Sequence, residues 1–324
     1  MTEADRTAAA RWAVPLTVIG GYLGAGKTTL LNYVLRNNQG RRLAVLVNDF
    51  GSINIDVELI ADQEEDAISL NNGCICCSLA GGFAVALKGL RERAEPPEQV
   101  IVEASGVADP RKIGQYGHMP GYRLDGVVVV ADAETVRERT ADEYVGAQVT
   151  QQLRGADLIV LSKIDLVGVQ ERAAVRSWLH ELEPDVRIIE AQHGAVPLPL
   201  LLGDLPADPM RHERDTAEHD HHYDPAYATW SYTSNESLDS DTVRTFASGL
   251  PEGIIRAKGI LRLREAPERR TVFQLVSRRW SLKPGEPWRS EQPRTQLVLI
   301  GLPGSIDEDW LEAMLHGLAQ HTER

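Results

Sequence analysis

The three cysteines of this chain lie together in the segment NNGCICCSLAGG. Cys74, Cys76 and Cys77 offer up to three thiolates, and soft sulfur ligands suit Zn²⁺ and also Co²⁺, Ni²⁺ or Fe²⁺. Zinc prefers four tetrahedral ligands, so three thiolates leave one position for water or for a ligand from a partner. An open position suits a metal that must be released. Two alternatives stay open: small thiols packed in a buried loop, and a redox pair of Cys74 and Cys77 at C-x-x-C spacing.

A second segment, GGYLGAGKTTLLNYVL, contains a phosphate-binding pattern. Gly21, Gly26, Lys27 and Thr28 fit G-x-x-x-x-G-K-[ST]. The β-rich run VPLTVIG precedes it, and a stretch with apolar residues at helical spacing follows it. Glycines let backbone N–H groups point at phosphate oxygens, and the helix N-terminus adds its positive dipole end. Lys27 is expected to neutralise the β- and γ-phosphates, and the Thr28 hydroxyl to hold Mg²⁺.

The elements that must position these residues follow an α/β pattern. Apolar, β-branched runs alternate with helical stretches such as GGFAVALKGLRERA and ERAAVRSWLHEL. This alternation predicts a parallel sheet covered by helices on both faces, with functional residues at the carboxyl ends of its strands. The predicted strands are VPLTVIG, RRLAVLVN, EQVIVEAS, LDGVVVVADA, ADLIVLSK and DVRIIEAQ.

The strand-end rule selects three groups of polar residues. Asn48 and Asp49 follow one strand, and Glu103 to Gly106 end another. The segment Ser162–Lys163–Ile164–Asp165 ends a third and resembles the N-K-x-D guanine-reading motif of GTPases, with Ser in place of Asn. An Asp at this position can accept hydrogen bonds from N1 and N2 of guanine, while the Lys stem packs along the base. Because Ser is shorter and has no amide, the strength of the guanine preference is left open.

One further loop is expected to reach the base. The segment EAQHGAVPL follows the next strand, where GTPases place a second base-contacting loop, so His193 and Gly194 are candidates for contact with guanine.

In combination, these segments resemble the CobW family of metallochaperone GTPases, within the G3E group of P-loop GTPases. The resemblance is carried by GGYLGAGKTTLLN, VNDFG, NNGCICCSL, VEASGVADP and LSKIDLV, in that order, over about residues 14 to 200. IIRAKGILRL is similar to the smaller C-terminal domain of that family. The resemblance implies GTP binding, slow GTP hydrolysis and delivery of a transition metal, with zinc the first expectation, to a client metalloprotein. The client is left open among cobalamin synthesis, zinc enzymes and nitrile hydratase maturation.

The resemblance also implies roles for individual residues. Asp49 would lie in the first switch, and Glu103 and Gly106 in the Walker B and second-switch region, so that Lys27, Asp49 and Glu103 are the catalytic candidates. The remaining phosphate-binding candidates run from Gly21 to Thr29, namely Gly21, Gly24, Ala25, Gly26, Thr28 and Thr29. Ser52 stands where many members have Glu, so metal binding here would depend more heavily on the cysteines.

A polar segment, RHERDTAEHDHHYDP, predicts a linker between two domains. His219, His221 and His222 could collect divalent metal weakly, and a solvated acidic linker without metal is the equal alternative. The expected organisation is a tail at 1–13, a P-loop GTPase domain at 14–205, the linker at 206–226 and a C-terminal α+β domain at 227–324. The last domain is expected to have an antiparallel or mixed sheet and to bind a client or a second copy of the chain.

Composition excludes several classes of partner. The net charge of −13 argues against nucleic acid and anionic membranes. No apolar run approaches the length of a membrane span, and the N-terminus lacks the pattern of a secretion signal. A cytoplasmic protein with reduced thiols is expected. Two alternatives to the metallochaperone GTPase are a metal buffer or sensor with a regulatory nucleotide site, and an ATP-dependent P-loop kinase.

Overall fold

A computed structural model describes residues 13–38, 40–47, 67–69, 80–202, 227–288 and 292–316, with the backbone alone at 67–69 and 80–81. The chain divides into two compact units between Val196 and Pro197. Asp49, the three cysteines and the predicted histidine-containing linker lie outside the described residues.

The first unit contains a parallel sheet of seven strands in the order β3-β2-β4-β1-β5-β6-β7. All strand pairings in the described part of this sheet are parallel, which confirms the predicted P-loop type of α/β architecture. Strands β2, β4 and β6 are buried along their full length, as expected for strands covered on both faces. The strands are β1 Val14–Gly20, β2 Leu43–Val47, β3 Ala67–Ser69, β4 Gln99–Glu103, β5 Tyr122–Asp132, β6 Leu158–Ser162 and β7 Arg187–Glu190.

Helices connect these strands, and some of them pack into the apolar core described here. Phe83, Leu87 and Leu90 of the second helix are almost fully buried in this core together with the strand residues. The α-helices of the first unit are α1 Lys27–Arg36, α2 Ala80–Arg91, α3 Pro110–Gly114, α4 Val136–Ala141, α5 Gly146–Arg154 and α6 Val169–Leu182. Among them, α3, α4 and α5 are absent from the sequence prediction, because short helices give few turns of apolar periodicity.

The second unit contains a five-stranded antiparallel sheet in the order β11-β10-β9-β12-β8. Its two longer helices begin at aspartate caps, since Asp239 accepts from the N–H of Thr242 and Asp307 from that of Trp310. Its elements are α7 Leu198–Leu202, β8 Ala228–Ser234, α8 Ser240–Gly249, β9 Ile254–Arg262, β10 Arg269–Val276, β11 Arg279–Pro287, β12 Thr295–Gly301 and α9 Glu308–Leu315.

The segment RRTVFQLVSRRWSL has the apolar and β-branched residues that predict a strand, and the structure differs from this prediction. The segment forms the hairpin of β10 and β11, and Ser277, which follows β10, has φ 55°. A non-glycine residue in the left-handed region reverses the chain, and Ser carries no strong sequence signal for this conformation. The helices of the described residues include none long and apolar enough to cross a bilayer.

Candidate functional site

The phosphate-binding pattern forms a tight loop between β1 and α1. Gly21, Gly24 and Gly26 have φ values of 133°, 77° and 99°, which glycine adopts without strain. A Cβ atom on Gly21 would overlap the carbonyl oxygen of Val130, so this position admits glycine alone. Gly26 caps α1 without a side chain, and the first turn of that helix has no acidic residue. The N-terminus of α1 is therefore open to an anion.

The predicted residues of this loop differ in exposure. Ala25 and Lys27 are buried, with 4% and 8% of their surface exposed, whereas Gly24 and Thr29 are exposed. The Lys27 Nζ donates to the carbonyl oxygen of Gly21 at 3.0 Å and to that of Tyr22 at 3.4 Å. These contacts hold the ammonium group inside the curve of the loop, where it would face the phosphates of a bound nucleotide.

Glu103 lies against the same loop because β4 is the neighbour of β1, with Glu103 opposite Ile19. The Thr28 hydroxyl donates to Glu103 Oε1 at 3.3 Å, and Glu103 is 3% exposed. A hydroxyl and a carboxylate at this spacing are hard oxygen donors, which are the ligands that Mg²⁺ prefers. The residues present therefore fit the predicted magnesium ion.

The predicted base-reading turn follows β6 and is joined to the phosphate loop. Ser162 is 5% exposed, and its Oγ lies 2.7 Å from the carbonyl oxygen of Ala25 and 3.1 Å from that of Ala131. Since the hydroxyl has one proton, it donates to one carbonyl at a time. Ser162 thus contacts the backbone of the phosphate loop and the backbone near the end of β5.

Lys163 adopts a left-handed conformation, with φ 57°. Its Nζ forms an ion pair with Asp132 Oδ2 at 2.7 Å, and the other oxygen of Asp132 accepts from the N–H of Glu134. The pair fixes the lysine stem beside the end of β5. Asp132 is not among the residues predicted from the sequence, although it too lies at the carboxyl end of a parallel strand.

Asp165 and His193 come together at the outer part of this edge. His193 Nε2 lies 4.0 Å from Asp165 Oδ2, and the two side chains are 79% and 20% exposed. His193 and Gly194 have φ values of 51° and 75°, which bend the loop back towards α1. A Cβ atom on Gly194 would lie 2.9 Å from the backbone of Thr29 and Leu30. This close approach places the second predicted base-contacting loop against the helix that follows the phosphate loop.

Gly106 brings the segment after β4 to the phosphate loop. A Cβ atom on Gly106 would lie 2.5 Å from Leu23 Cδ2 and 2.9 Å from the backbone nitrogen of Leu23. Only a glycine allows this approach without displacing the loop. One edge of the sheet therefore carries the phosphate loop, Glu103, Gly106 and the turn at Ser162.

The predicted ligands of the transition metal are not among these residues. Cys74, Cys76, Cys77, His219, His221 and His222 lie outside the described residues, as does Asp49. The described part of the chain contains no group of three or more His, Cys, Asp or Glu side chains that could hold a metal ion.

Comparison with known proteins gives two family matches. The profile described as CobW/HypB/UreG, nucleotide-binding domain, matches residues 15–190. The profile of the cobalamin synthesis protein cobW C-terminal domain matches residues 227–319.

Individual proteins are similar over nearly the whole chain. The zinc chaperone CobW of Sinorhizobium sp is 31% identical over 94% of this chain and 97% of its own length. The zinc chaperone YjiA of Escherichia coli (strain K12) is 29% identical over 94% of this chain and 98% of its own length. The crystal structure of Zn(II)-bound YjiA GTPase from E. coli is 23% identical, covers 95% of this chain and 99% of its own, and has a TM-score of 0.45.

Proposed function

The chain belongs to the CobW/HypB/UreG family, and from that premise we propose that it is a GTP-dependent metallochaperone, which binds zinc and delivers it to a client metalloprotein. The observation that carries the proposal is the contact between Thr28 and Glu103 at the phosphate loop. It joins a phosphate-binding element to a carboxylate on the adjacent strand, as a nucleotide hydrolase requires.

Different residues would bind the phosphates, the base and the magnesium ion of GTP. The open N-terminus of α1 and the Lys27 ammonium would bind the phosphates, and the Asp165 carboxylate would accept hydrogen bonds from guanine. Thr28 and Glu103 would hold Mg²⁺, which when bound neutralises charge on the β- and γ-phosphates. Because Glu103 is buried, its carboxylate stays fixed relative to the phosphate loop.

The zinc cargo would bind to Cys74, Cys76 and Cys77 as thiolates with one exchangeable position. These residues lie in the sequence between β3, which ends at Ser69, and α2, which begins at Ala80. Strand β3 is parallel to its neighbour β2, which ends shortly before Asp49. Nucleotide-dependent rearrangement of segments that follow these strands would change the affinity for zinc, and coupling of this kind is reciprocal. His219, His221 and His222 would add weak binding.

A competition titration tests this proposal. The zinc affinity of the full chain is measured against a chelator of known affinity, with GDP and with a non-hydrolysable GTP analogue in turn. We expect tighter binding with the analogue by about 5- to 150-fold, the range of typical coupling energies. The affinity should fall with decreasing pH, because thiolates must be deprotonated to bind zinc.

Two variants serve as controls for the titration. Replacement of all three cysteines by Ser should remove the tight site in both nucleotide states. Lys27→Ala should keep the tight site, lose its dependence on nucleotide and abolish GTP hydrolysis. Equal zinc affinity of the wild type with GDP and with the analogue would refute the coupling. Absence of multiple-turnover GTP hydrolysis in the wild type would favour a metal buffer or sensor instead.

A further inference from the structure

Three glutamines of helix α5 hold the loop that follows β4. The Gln152 Nε2 donates to the carbonyl oxygens of Gly106 at 3.0 Å and Ala108 at 2.8 Å. Val107 and Asp109 of the same loop are also bound by glutamines. The Gln148 Nε2 donates to the carbonyl oxygen of Val107. The Gln151 Nε2 donates to Asp109 Oδ2 at 3.0 Å. Four consecutive loop residues are therefore bound by side chains of one helix.

Helical geometry explains how one element reaches four positions. Positions 148, 151 and 152 are related as i, i+3 and i+4, so their side chains lie on one face of α5. Val149 and Leu153 on the same helix are buried in the apolar core and fix its position. The three amides therefore project from a rigid support towards a segment that has no regular secondary structure.

Gln152 is the most constrained of the three. It is 2% exposed, and its amide orientation is determined because two carbonyl oxygens require the NH₂ group on their side. Its Oε1 has no hydrogen-bond partner among the described residues. An unsatisfied buried acceptor is unfavourable, so packing alone does not account for a glutamine here.

The loop that α5 holds is also the loop that approaches the phosphate site. Gly106 lies so close to Leu23 that a Cβ atom on Gly106 would overlap Leu23. Gln152 and Leu23 line one cavity with Tyr22 and Arg139, and the Arg139 guanidinium lies 5.7 Å from the centre of the Tyr22 ring. A continuous set of contacts thus leads from α5 through Gly106 to the phosphate loop.

We propose that Gln152 and Gln148 are positioning residues for GTP hydrolysis, with Gln151 as a weaker, exposed third contact. They hold the backbone of Gly106 to Ala108 at the phosphate loop, and so favour a nucleotide that carries a γ-phosphate. In P-loop GTPases the switch segments respond to that phosphate, whereas the diphosphate and the base are bound elsewhere. This inference rests on the proposed GTPase function.

The test compares Gln152→Met and Gln148→Met with Thr150→Ala in the full chain. Met keeps side-chain length and removes the donors, while Thr150 lies on the same helix and the hydrogen bonds described between α5 and the loop come from the three glutamines. We expect Gln152→Met to lower kcat, and its affinity for a non-hydrolysable GTP analogue, by about 10-fold, the effect of losing one to two hydrogen bonds. Gln148→Met should have a smaller effect. GDP affinity and the properties of Thr150→Ala should stay at the wild-type level.

Gln152→Glu separates hydrogen bonding from packing. Its carboxylate would face two carbonyl oxygens without a proton to donate, so kcat should fall further than in Gln152→Met at neutral pH. Protonation restores one donor, and the kcat of Gln152→Glu relative to wild type should therefore rise as the pH falls. The ratio for Gln152→Met should not change with pH.

The outcomes distinguish this inference from the proposed function. If the wild type neither binds nor hydrolyses GTP, the proposed function is refuted. If the wild type is active and Gln152→Met weakens GDP and the analogue equally, or changes neither, the glutamines have no positioning role. Thermal unfolding of each variant identifies one that fails to fold, and if Gln152→Met does so, Gln148→Met at the partly buried contact with Val107 provides the same comparison.

Discussion

The hydroxyl oxygen of Ser162 lies 2.7 Å from the carbonyl oxygen of Ala25, which is 137 positions away in the sequence. Ser162 ends β6 and begins the predicted base-reading turn, while Ala25 belongs to the phosphate loop. One buried hydroxyl therefore connects the two halves of the proposed nucleotide site. The serine side chain is long enough to make this contact.

Ser162→Ala should weaken the binding of GDP and GTP together. The substitution removes the hydroxyl that Ala25 and Ala131 share as a donor, and a loss of about 1 kcal/mol corresponds to roughly 5-fold in affinity. Titration with a fluorescent nucleotide measures both constants. Ser177→Ala, an exposed serine on α6, is the matched control and should bind like the wild type. A change confined to GTP would contradict the proposed connection.

Asp165→Asn should change the preferred base of the nucleotide from guanine to xanthine. In the proposed site the carboxylate would accept two hydrogen bonds from guanine, whereas an amide at this position would pair better with xanthine. Binding of GTP should weaken by about 10-fold or more and that of xanthosine triphosphate should strengthen, as expected when a charged hydrogen-bond partner is removed. Competition among GTP, xanthosine triphosphate and ATP measures the preference. Equal competition by ATP in the wild type would show that this turn does not read guanine and would favour the kinase alternative.

Glu103→Gln should lower the rate of GTP hydrolysis and leave nucleotide binding without Mg²⁺ nearly unchanged. The amide keeps the size of the side chain next to Thr28 but removes the charge that would attract Mg²⁺. We expect kcat to fall by at least about 10-fold and the Mg²⁺ concentration for half-maximal rate to rise, because charge stabilisation near the phosphates is lost. GDP affinity without Mg²⁺ should change little. Phosphate release at a series of Mg²⁺ concentrations tests this, and an unchanged Mg²⁺ dependence would remove Glu103 from the site.

Ionisation of Tyr122 should lower the stability of the first unit as the pH rises into the alkaline range. Burial raises the pKa of its hydroxyl to about 12, an effect that Arg91 partly opposes. The hydroxyl donates to the carbonyl oxygen of Leu87. Because the folded pKa lies above the unfolded value of about 10, this contribution is complete below pH ~10 and is lost as the pH rises towards ~12.

Comparison with Tyr122→Phe isolates this contribution from the other tyrosines. Urea unfolding at several pH values gives the free energy of unfolding of both proteins. Tyr122→Phe should be less stable at pH 8 by about 1 kcal/mol, the contribution of one hydrogen bond. The difference should shrink as the pH rises above ~10. A difference that stays constant with pH would show that the hydroxyl titrates normally.

The sequence by itself determined the local elements of this protein. The glycines around Lys27, the apolar runs of the strands and the aspartate caps at Asp239 and Asp307 each act within a few residues along the chain. Such patterns are readable because backbone sterics, capping and side-chain periodicity depend on near neighbours. The parallel arrangement of the first sheet followed from the alternation of strands and helices.

Only the tertiary structure decided which distant residues meet. The contacts of Thr28 with Glu103, Ser162 with Ala25, and Gln152 with Gly106 join residues 75, 137 and 46 positions apart. They depend on strand order, which places β4 and β5 on either side of β1, and on the packing of a short helix that has little periodicity of its own. Sequence spacing carries no direct record of such contacts, because they form only when elements far apart in the chain bury their apolar faces together.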